Sequence, residues 1–206
     1  MSDRNHWDRV YTDRSSERLS WFQRQAGRSL ALIQETGIAP GAPLIDVGGG
    51  ASCLAGELLH RGFGDLWVLD ISAAALDVAR KALGDDAARI HWLEGDITRA
   101  RLPAAHFALW HDRAVFHFLT DAQAREAYVR QVHDALVPGG HVVIATFAED
   151  GPARCSGLPV MRYDAPTLHA EFAPVFELLH TEKEVHVTPA GDTQVFRYCV
   201  LRSTES

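Results

Sequence analysis

The ten residues Pro43-Leu44-Ile45-Asp46-Val47-Gly48-Gly49-Gly50-Ala51-Ser52, "PLIDVGGGAS", decide how the chain is read. An apolar run closes on an acid and passes into three consecutive glycines, and "CLAGELLHRG" (53–62) then takes up helical spacing. The pattern predicts a short buried strand, a tight turn and a helix. Glycines let a backbone approach a ligand closely, and the N-terminus of a following helix offers N–H groups with no partner of their own.

The same alternation continues outward. Downstream come a strand at "LWVLDI" (66–71), a helix capped by Ser72 through "AAALDVARKAL" (73–83), and strands at "RIHWLEGD" (89–96) and "HFALWHD" (106–112). A helix over "DAQAREAYVRQVHDAL" (121–136), a turn at "VPGG" (137–140) and a strand at "HVVIATF" (141–147) follow. Upstream, Leu19, Phe22, Ala26, Leu30 and Ile33 recur at helical spacing, which predicts one helix from a Ser15 or Ser16 cap to Gly37. Strands alternating with helices make βαβ units, so the sheet should be mainly parallel and covered on both faces. The tail breaks the rhythm: "APVFELLHTEKEVHVTP" (173–189) and "TQVFRYCVLR" (193–202), joined at Ala190-Gly191, predict a closing antiparallel pair.

Composition narrows the class. The 206 residues are 47% hydrophobic and 23% charged, enough for one domain with a substantial core. The formal net charge is -7, Lys is nearly absent and no basic cluster occurs, which argues against nucleic acid as a partner. "MSDRNHWDRV" lacks an apolar signal core and no run is long enough for a membrane span, so a cytoplasmic protein without membrane attachment is expected, monomeric or homodimeric. Cys53, Cys155 and Cys199 are odd in number and far apart, as reduced thiols would be, and the 11 histidines show no metal-ligand spacing, so no metal is expected.

Three acids end successive strands. Asp46 precedes the glycine turn, Asp70 closes the next strand, where a carboxylate can accept hydrogen bonds from both ribose hydroxyls of a nucleoside, and Asp96 in "EGDI" follows the third. A nicotinamide dinucleotide is one reading. Gly48 and Gly50 fit its glycine fingerprint, but Cys53 stands where that fingerprint has a third small residue. Adenine, ribose and a small charged tail is the other.

"LIDVGGGAS", "VLDIS", "EGDI" and "LVPGGHVVIATF" resemble, in order, the successive motifs of class I S-adenosylmethionine (AdoMet)-dependent methyltransferases over roughly residues 40 to 150. The resemblance implies an α/β fold: a doubly wound, mainly parallel, seven-stranded Rossmann-like sheet with an antiparallel last strand. It also implies AdoMet as cofactor and S-adenosylhomocysteine (AdoHcy) as product. By match to the motifs, Asp46, Gly48, Gly49 and Gly50 would line the methionine and ribose, and Asp70 would hold the ribose hydroxyls. Asp96 and Ile97 would frame the adenine, and Ile71, His111 and Trp21 would complete the cofactor's surroundings. One domain over 1–206 is expected: an N-terminal helical lid (1–38), an AdoMet-binding core (39–148), then a substrate loop, helix and hairpin (149–206).

"LWHDRAVFHFL" (109–119) puts four polar side chains at the end of the fourth strand, where an open α/β sheet has its crevice. "HDRAVF" is similar to the Trp-Asp-Arg-Gly stretch of thiopurine S-methyltransferases, with His111 and Ala114 departing from it. That family also carries a Gly-Pro-rich loop before a helix closing over the substrate, as "GPARCSGLPVMRYDAPTLHAEF" would here, and an aromatic lid like Trp7, Tyr11, Trp21 and Phe22. Tellurite-resistance methyltransferases have similar N-termini. The resemblance points to a small-molecule acceptor with a thiol or other soft nucleophile. His111, Asp112, Arg113 and His117 are the catalytic candidates: a histidine to take a proton near neutral pH, Arg113 to stabilise a thiolate or an anionic group. The alternatives are structural, with Asp112 a helix cap, Arg113 tied to Asp46 and His117 a core residue. A protein lysine methyltransferase and an NAD-dependent oxidoreductase are the competing functions.

Overall fold

The computed structural model describes residues 4–13 and 15–205. A seven-stranded sheet forms the centre, built from β1 (Leu44–Val47), β2 (Leu66–Asp70), β3 (Ile90–Glu94), β4 (Phe107–Arg113), β5 (Leu136–Phe147), β8 (Phe176–Val187) and β9 (Thr193–Ser203), while β6 (Arg154–Cys155) and β7 (Leu158–Pro159) pair with each other outside it. Its order is β3-β2-β1-β4-β5-β9-β8. The first five strands run parallel, and β9 lies antiparallel to both β5 and β8. Strand order reverses between β1 and β4, so the chain ends leaving those two strands diverge and open the crevice.

Successive strand residues feed opposite cores. Leu44, Leu109 and Val143 pack with α2 (Gly27–Glu35), α3 (Leu54–His60) and Leu76 of α4 (Ala73–Leu83) on one face. Ile45, Trp110 and Ile144 pack with α5 (Ala122–Ala135) and α6 (Ala165–Phe172) on the other. Burying both faces explains why the strands read as continuous apolar runs. Ser72 caps α4 by accepting from Ala75 N at 3.2 Å, and Asp121 caps α5 through Ala124 N at 3.1 Å.

Three expectations need correction. The single helix from residue 16 to 37 is one turn at Ser16–Arg18, an irregular stretch, and α2. The carbonyls of that stretch are taken by distant side chains: Trp21 O accepts from Arg113 Nη1 at 3.2 Å and Ser20 O from His186 Nε2 at 2.8 Å. A helical ladder there would compete for the same oxygens. At "VPGG", Gly139 takes φ +70, but the segment already belongs to β5, whose regular register with β4 resumes at Leu109 and His141. Finally, α6 does not close over the crevice. Leu168 and Phe172 bury it in the second core beside Phe116 and Phe176. A further helix, α1 (Arg4–Asp13), precedes the Ser15 or Ser16 start given for the first helix and lies against α4. No helix among the described residues is long and apolar enough to cross a membrane.

Candidate active site

The glycine turn after β1 is shaped by what crowds it. Gly48 sits at φ +71, and a Cβ there would lie 2.0 Å from Val115 Cγ2. A Cβ on Gly50 would come 2.6 Å from Asp70 Oδ2, and the Gly50 N–H instead donates to that oxygen at 3.1 Å. The turn is thus drawn onto the carboxylate that ends β2. Asp70 Oδ1 also accepts from Ser72 N at 2.9 Å, and burial pushes its carboxyl up to about 6 against the lowering effect of those bonds.

Beyond the strand ends lies a cavity of about 480 Å³. Gly48, Asp70, Ile71, Asp96 and Ile97 line it on the side of β1 to β3, as do Trp21 and Arg113. Asp96 Oδ1 holds its own loop through Thr98 N and Oγ1 at 2.9 and 2.8 Å. Trp7, Tyr11, Phe118 and Cys155 add an aromatic and sulfur-bearing wall, Trp7 meeting Phe118 and Trp21 edge-on at 5.0 and 5.7 Å. Burial pushes the Cys155 thiol up to about 12. Asp46 and Gly49 border a smaller adjoining recess of about 60 Å³. Asp46 Oδ2 is buried there and makes no hydrogen bond within the protein, so the recess presents an unmatched acceptor, as an ammonium group would require. Gly50 lines neither space and serves the turn.

The four catalytic candidates part company. His111 is buried with both nitrogens engaged, Nδ1 to Asp46 Oδ1 at 2.7 Å and Nε2 to Ser29 Oγ at 2.9 Å; it borders the recess and not the main cavity. Asp112 is inaccessible and accepts from Val115 N, Phe116 N and Tyr128 Oη at 2.8, 3.0 and 2.5 Å, which ties down the entry to the Phe116–Phe118 turn, whose N-cap position is Val115. Burial raises its carboxyl to about 6. His117 lies in the core, its Nδ1 accepting from Phe147 N at 3.3 Å, and burial drives its pKa down to about 3. Geometry therefore gives Asp112 and His117 no access to a reacting group. Arg113 and His117 do not share a helical face, because β4 runs through Arg113 and His117 lies in the turn beyond it. Arg113 does line the cavity, yet it is not paired with Asp46. Its Nε donates to Tyr198 Oη at 3.1 Å, its Nη1 to Trp21 O, and its guanidinium lies 4.2 Å over the Phe196 ring.

Sequence reasoning missed Ser29 and Tyr198. Each acts through a partner more than sixty residues away, and local spacing carries no signal of such contacts. Among the described residues no group of three or more metal-ligating side chains occurs.

Residues 44–140 match the family model described as a methyltransferase domain. No curated protein matches the chain. An S-adenosylmethionine-dependent methyltransferase from Anabaena variabilis shares the fold with a TM-score of 0.74 at 18% identity, over 98% of this chain and 96% of that one. A structure from work on converting a disulfide bond into a thioacetal group during echinomycin biosynthesis gives 0.74 at 19% identity, over 96% and 90%. The 1,6-didemethyltoxoflavin-N1-methyltransferase of Burkholderia thailandensis, solved with 1,6-didemethyltoxoflavin and AdoHcy, gives 0.69 at 19% identity, over 95% and 81%. These identities speak to fold alone. The span matched by the family model holds the glycine turn, Asp70 and Asp96 and falls just short of half the chain, so the chain carries a region similar to a methyltransferase domain, set in a fold that it shares with S-adenosylmethionine-dependent methyltransferases.

Proposed function

We propose that the chain binds AdoMet and transfers its methyl group to a small molecule carrying a thiol, selenol or related soft nucleophile. Asp70 would hold the ribose hydroxyls, Asp96 and Ile97 would frame the adenine, and the Asp46 recess would take the methionine end. AdoMet, when bound, supplies a methyl group already activated on a sulfonium. The protein's share is then to position the acceptor and exclude water.

One observation carries the choice of acceptor: among the described residues no histidine lines the cavity, and its three carboxylates, Asp70, Asp96 and Asp121, each already accept hydrogen bonds from the protein on at least one oxygen. An acceptor that must lose a proton during transfer would find no imidazole to take it, whereas a thiol needs less help to ionise than an amine or a hydroxyl. The wall of Trp7, Tyr11, Trp21 and Phe118 suits a flat, polarisable molecule, and Arg113 beside it favours an anionic sulfur.

Isothermal titration with AdoHcy, followed by transfer from labelled AdoMet to matched thiol, amine and hydroxyl acceptors, tests both halves. Saturable AdoHcy binding and methylated thiol are expected. No AdoHcy binding beside clear NADH binding would remove the cofactor assignment, and transfer to oxygen or nitrogen alone would remove the soft nucleophile. Label moving onto a protein band would favour the lysine methyltransferase.

A further inference from the structure

We propose that Tyr198 of the C-terminal hairpin is a positioning residue for the methionine end of the cofactor, acting through Ser29 and His111 on Asp46. The inference rests on the cofactor site proposed above and deepens its reading of the recess.

Asp46 and His111 are register partners on β1 and β4, so their side chains leave the same face of the sheet, and His111 Nδ1 meets Asp46 Oδ1 at 2.7 Å. Tyr198 is on β9, two strands beyond β4, a span of roughly 10 Å at the usual strand spacing. That is too far for a direct bond to the imidazole. Ser29 of α2 bridges the gap over β5, its hydroxyl lying 2.9 Å from His111 Nε2 and 3.3 Å from Tyr198 Oη. Arg113 Nε closes the far end by donating to Tyr198 Oη at 3.1 Å.

The two ends give the chain a direction. A guanidinium only donates, a carboxylate only accepts, and each hydroxyl has one proton. With every link used, Tyr198 donates to Ser29, Ser29 donates to His111 Nε2, and His111 donates from Nδ1 to Asp46 Oδ1. The imidazole is held at both nitrogens, and it fixes which oxygen of Asp46 is engaged inside the protein. Oδ2 is left buried without a partner on the wall of the recess of about 60 Å³. Its place is tight, since a Cβ on Gly49 would lie 2.4 Å from it. In so small a space a turned carboxylate would no longer present that oxygen to an ammonium group. Asp46, Ser29, His111 and Tyr198 are all buried, so a lost link is not replaced by bulk water. Removing Arg113 leaves the bond from Tyr198 to Ser29 standing, whereas removing the Tyr198 hydroxyl frees Ser29 to turn away from His111.

The test compares AdoHcy with 5′-methylthioadenosine, which has the same adenosine and thioether but no amino-acid group. In isothermal titration Tyr198→Phe is expected to bind AdoHcy about tenfold more weakly and 5′-methylthioadenosine within about twofold of wild type. The ¹⁵N resonances of His111 give a second reading: in the wild-type chain Nδ1 carries the proton and Nε2 does not, and Tyr198→Phe should move the Nε2 shift. Ser29→Ala should reproduce both effects, and takes the place of Tyr198→Phe if that variant does not fold. A folded variant that keeps AdoHcy affinity, loses both ligands equally or leaves the Nε2 shift unmoved would overturn the role. A wild-type chain that binds no AdoHcy, or binds it no more tightly than 5′-methylthioadenosine, would instead overturn the site and recess on which the role rests.

Discussion

Asp70 and Asp112 are two buried carboxylates that burial raises to about the same value, near 6, and they differ in what they face. Asp70 borders the cavity, whereas Asp112 is enclosed by the Val115 and Phe116 N–H groups and Tyr128. A free aspartate titrates near about 3.9, so between that pH and 6 the folded chain takes up protons that the unfolded chain does not hold. Stability without ligand should therefore fall as pH rises through this window and level off above it. Binding runs the other way. Only the ionised Asp70 accepts from both ribose hydroxyls, so AdoHcy affinity should be about tenfold weaker at pH 5 than at pH 7.5 and flat above pH 7. Isothermal titration across that range checks it, with Asp70→Asn expected to bind weakly at every pH. A pH-independent wild-type affinity would mean the ribose is held elsewhere. Asp70 was legible because an acid at the end of an apolar strand must face the crevice; the partners of Asp112 come from Tyr128 and the following turn, which strand periodicity does not describe.

At the scale of elements, the alternating core was readable because each strand and helix buries a face that its own spacing displays. The end of β4 was not, because its polar side chains point into other elements. His111 reaches Asp46 of β1 and Ser29 of α2, while Asp112 reaches Tyr128 of α5, which also accepts from Trp110 Nε1 at 2.8 Å. The irregular stretch before α2 is a second case, since its apolar spacing reads as helix while its backbone oxygens are claimed from β4 and β8. The same contacts make Asp112 a structural group. Asp112→Ala leaves two backbone donors and the Tyr128 hydroxyl without their acceptor, and should destabilise the chain by about 3 kcal/mol. Tyr128→Phe removes one bond and should cost about 1 kcal/mol with the Michaelis constant for acceptor unchanged. Urea denaturation with steady-state kinetics reads both, and a Tyr128→Phe variant that keeps its stability but loses turnover would return this cluster to the chemistry.

Across the whole molecule, one side chain spans the three regions that the sequence reading separated. Arg113 leaves the AdoMet-binding core, donates to Trp21 O in the N-terminal segment, and meets Tyr198, Phe196 and Glu184 of the C-terminal hairpin, the last at 3.8 Å. Tyr198 continues the line through Ser29 to His111 and Asp46, so a buried polar chain runs from the hairpin to the recess beside the glycine turn. Arg113 Nη2 and Glu184 Oε2 are both buried without a hydrogen bond. The guanidinium is therefore paired in charge with Glu184 but keeps the two N–H groups of Nη2 without a hydrogen-bond acceptor, and these would favour an anionic acceptor. Arg113→Ala should keep AdoHcy affinity within about threefold, because no cofactor-side bond is removed, yet lower kcat/KM for a thiol by about a hundredfold, a loss of about 2.7 kcal/mol in transition-state stabilisation. Arg113→Lys should recover little, since an ammonium cannot reproduce the planar fork that reaches Tyr198 and Trp21 together. If Lys restores turnover, charge alone matters and the clamp is incidental; if Ala abolishes AdoHcy binding as well, the polar chain holds the glycine turn and the acceptor role falls away.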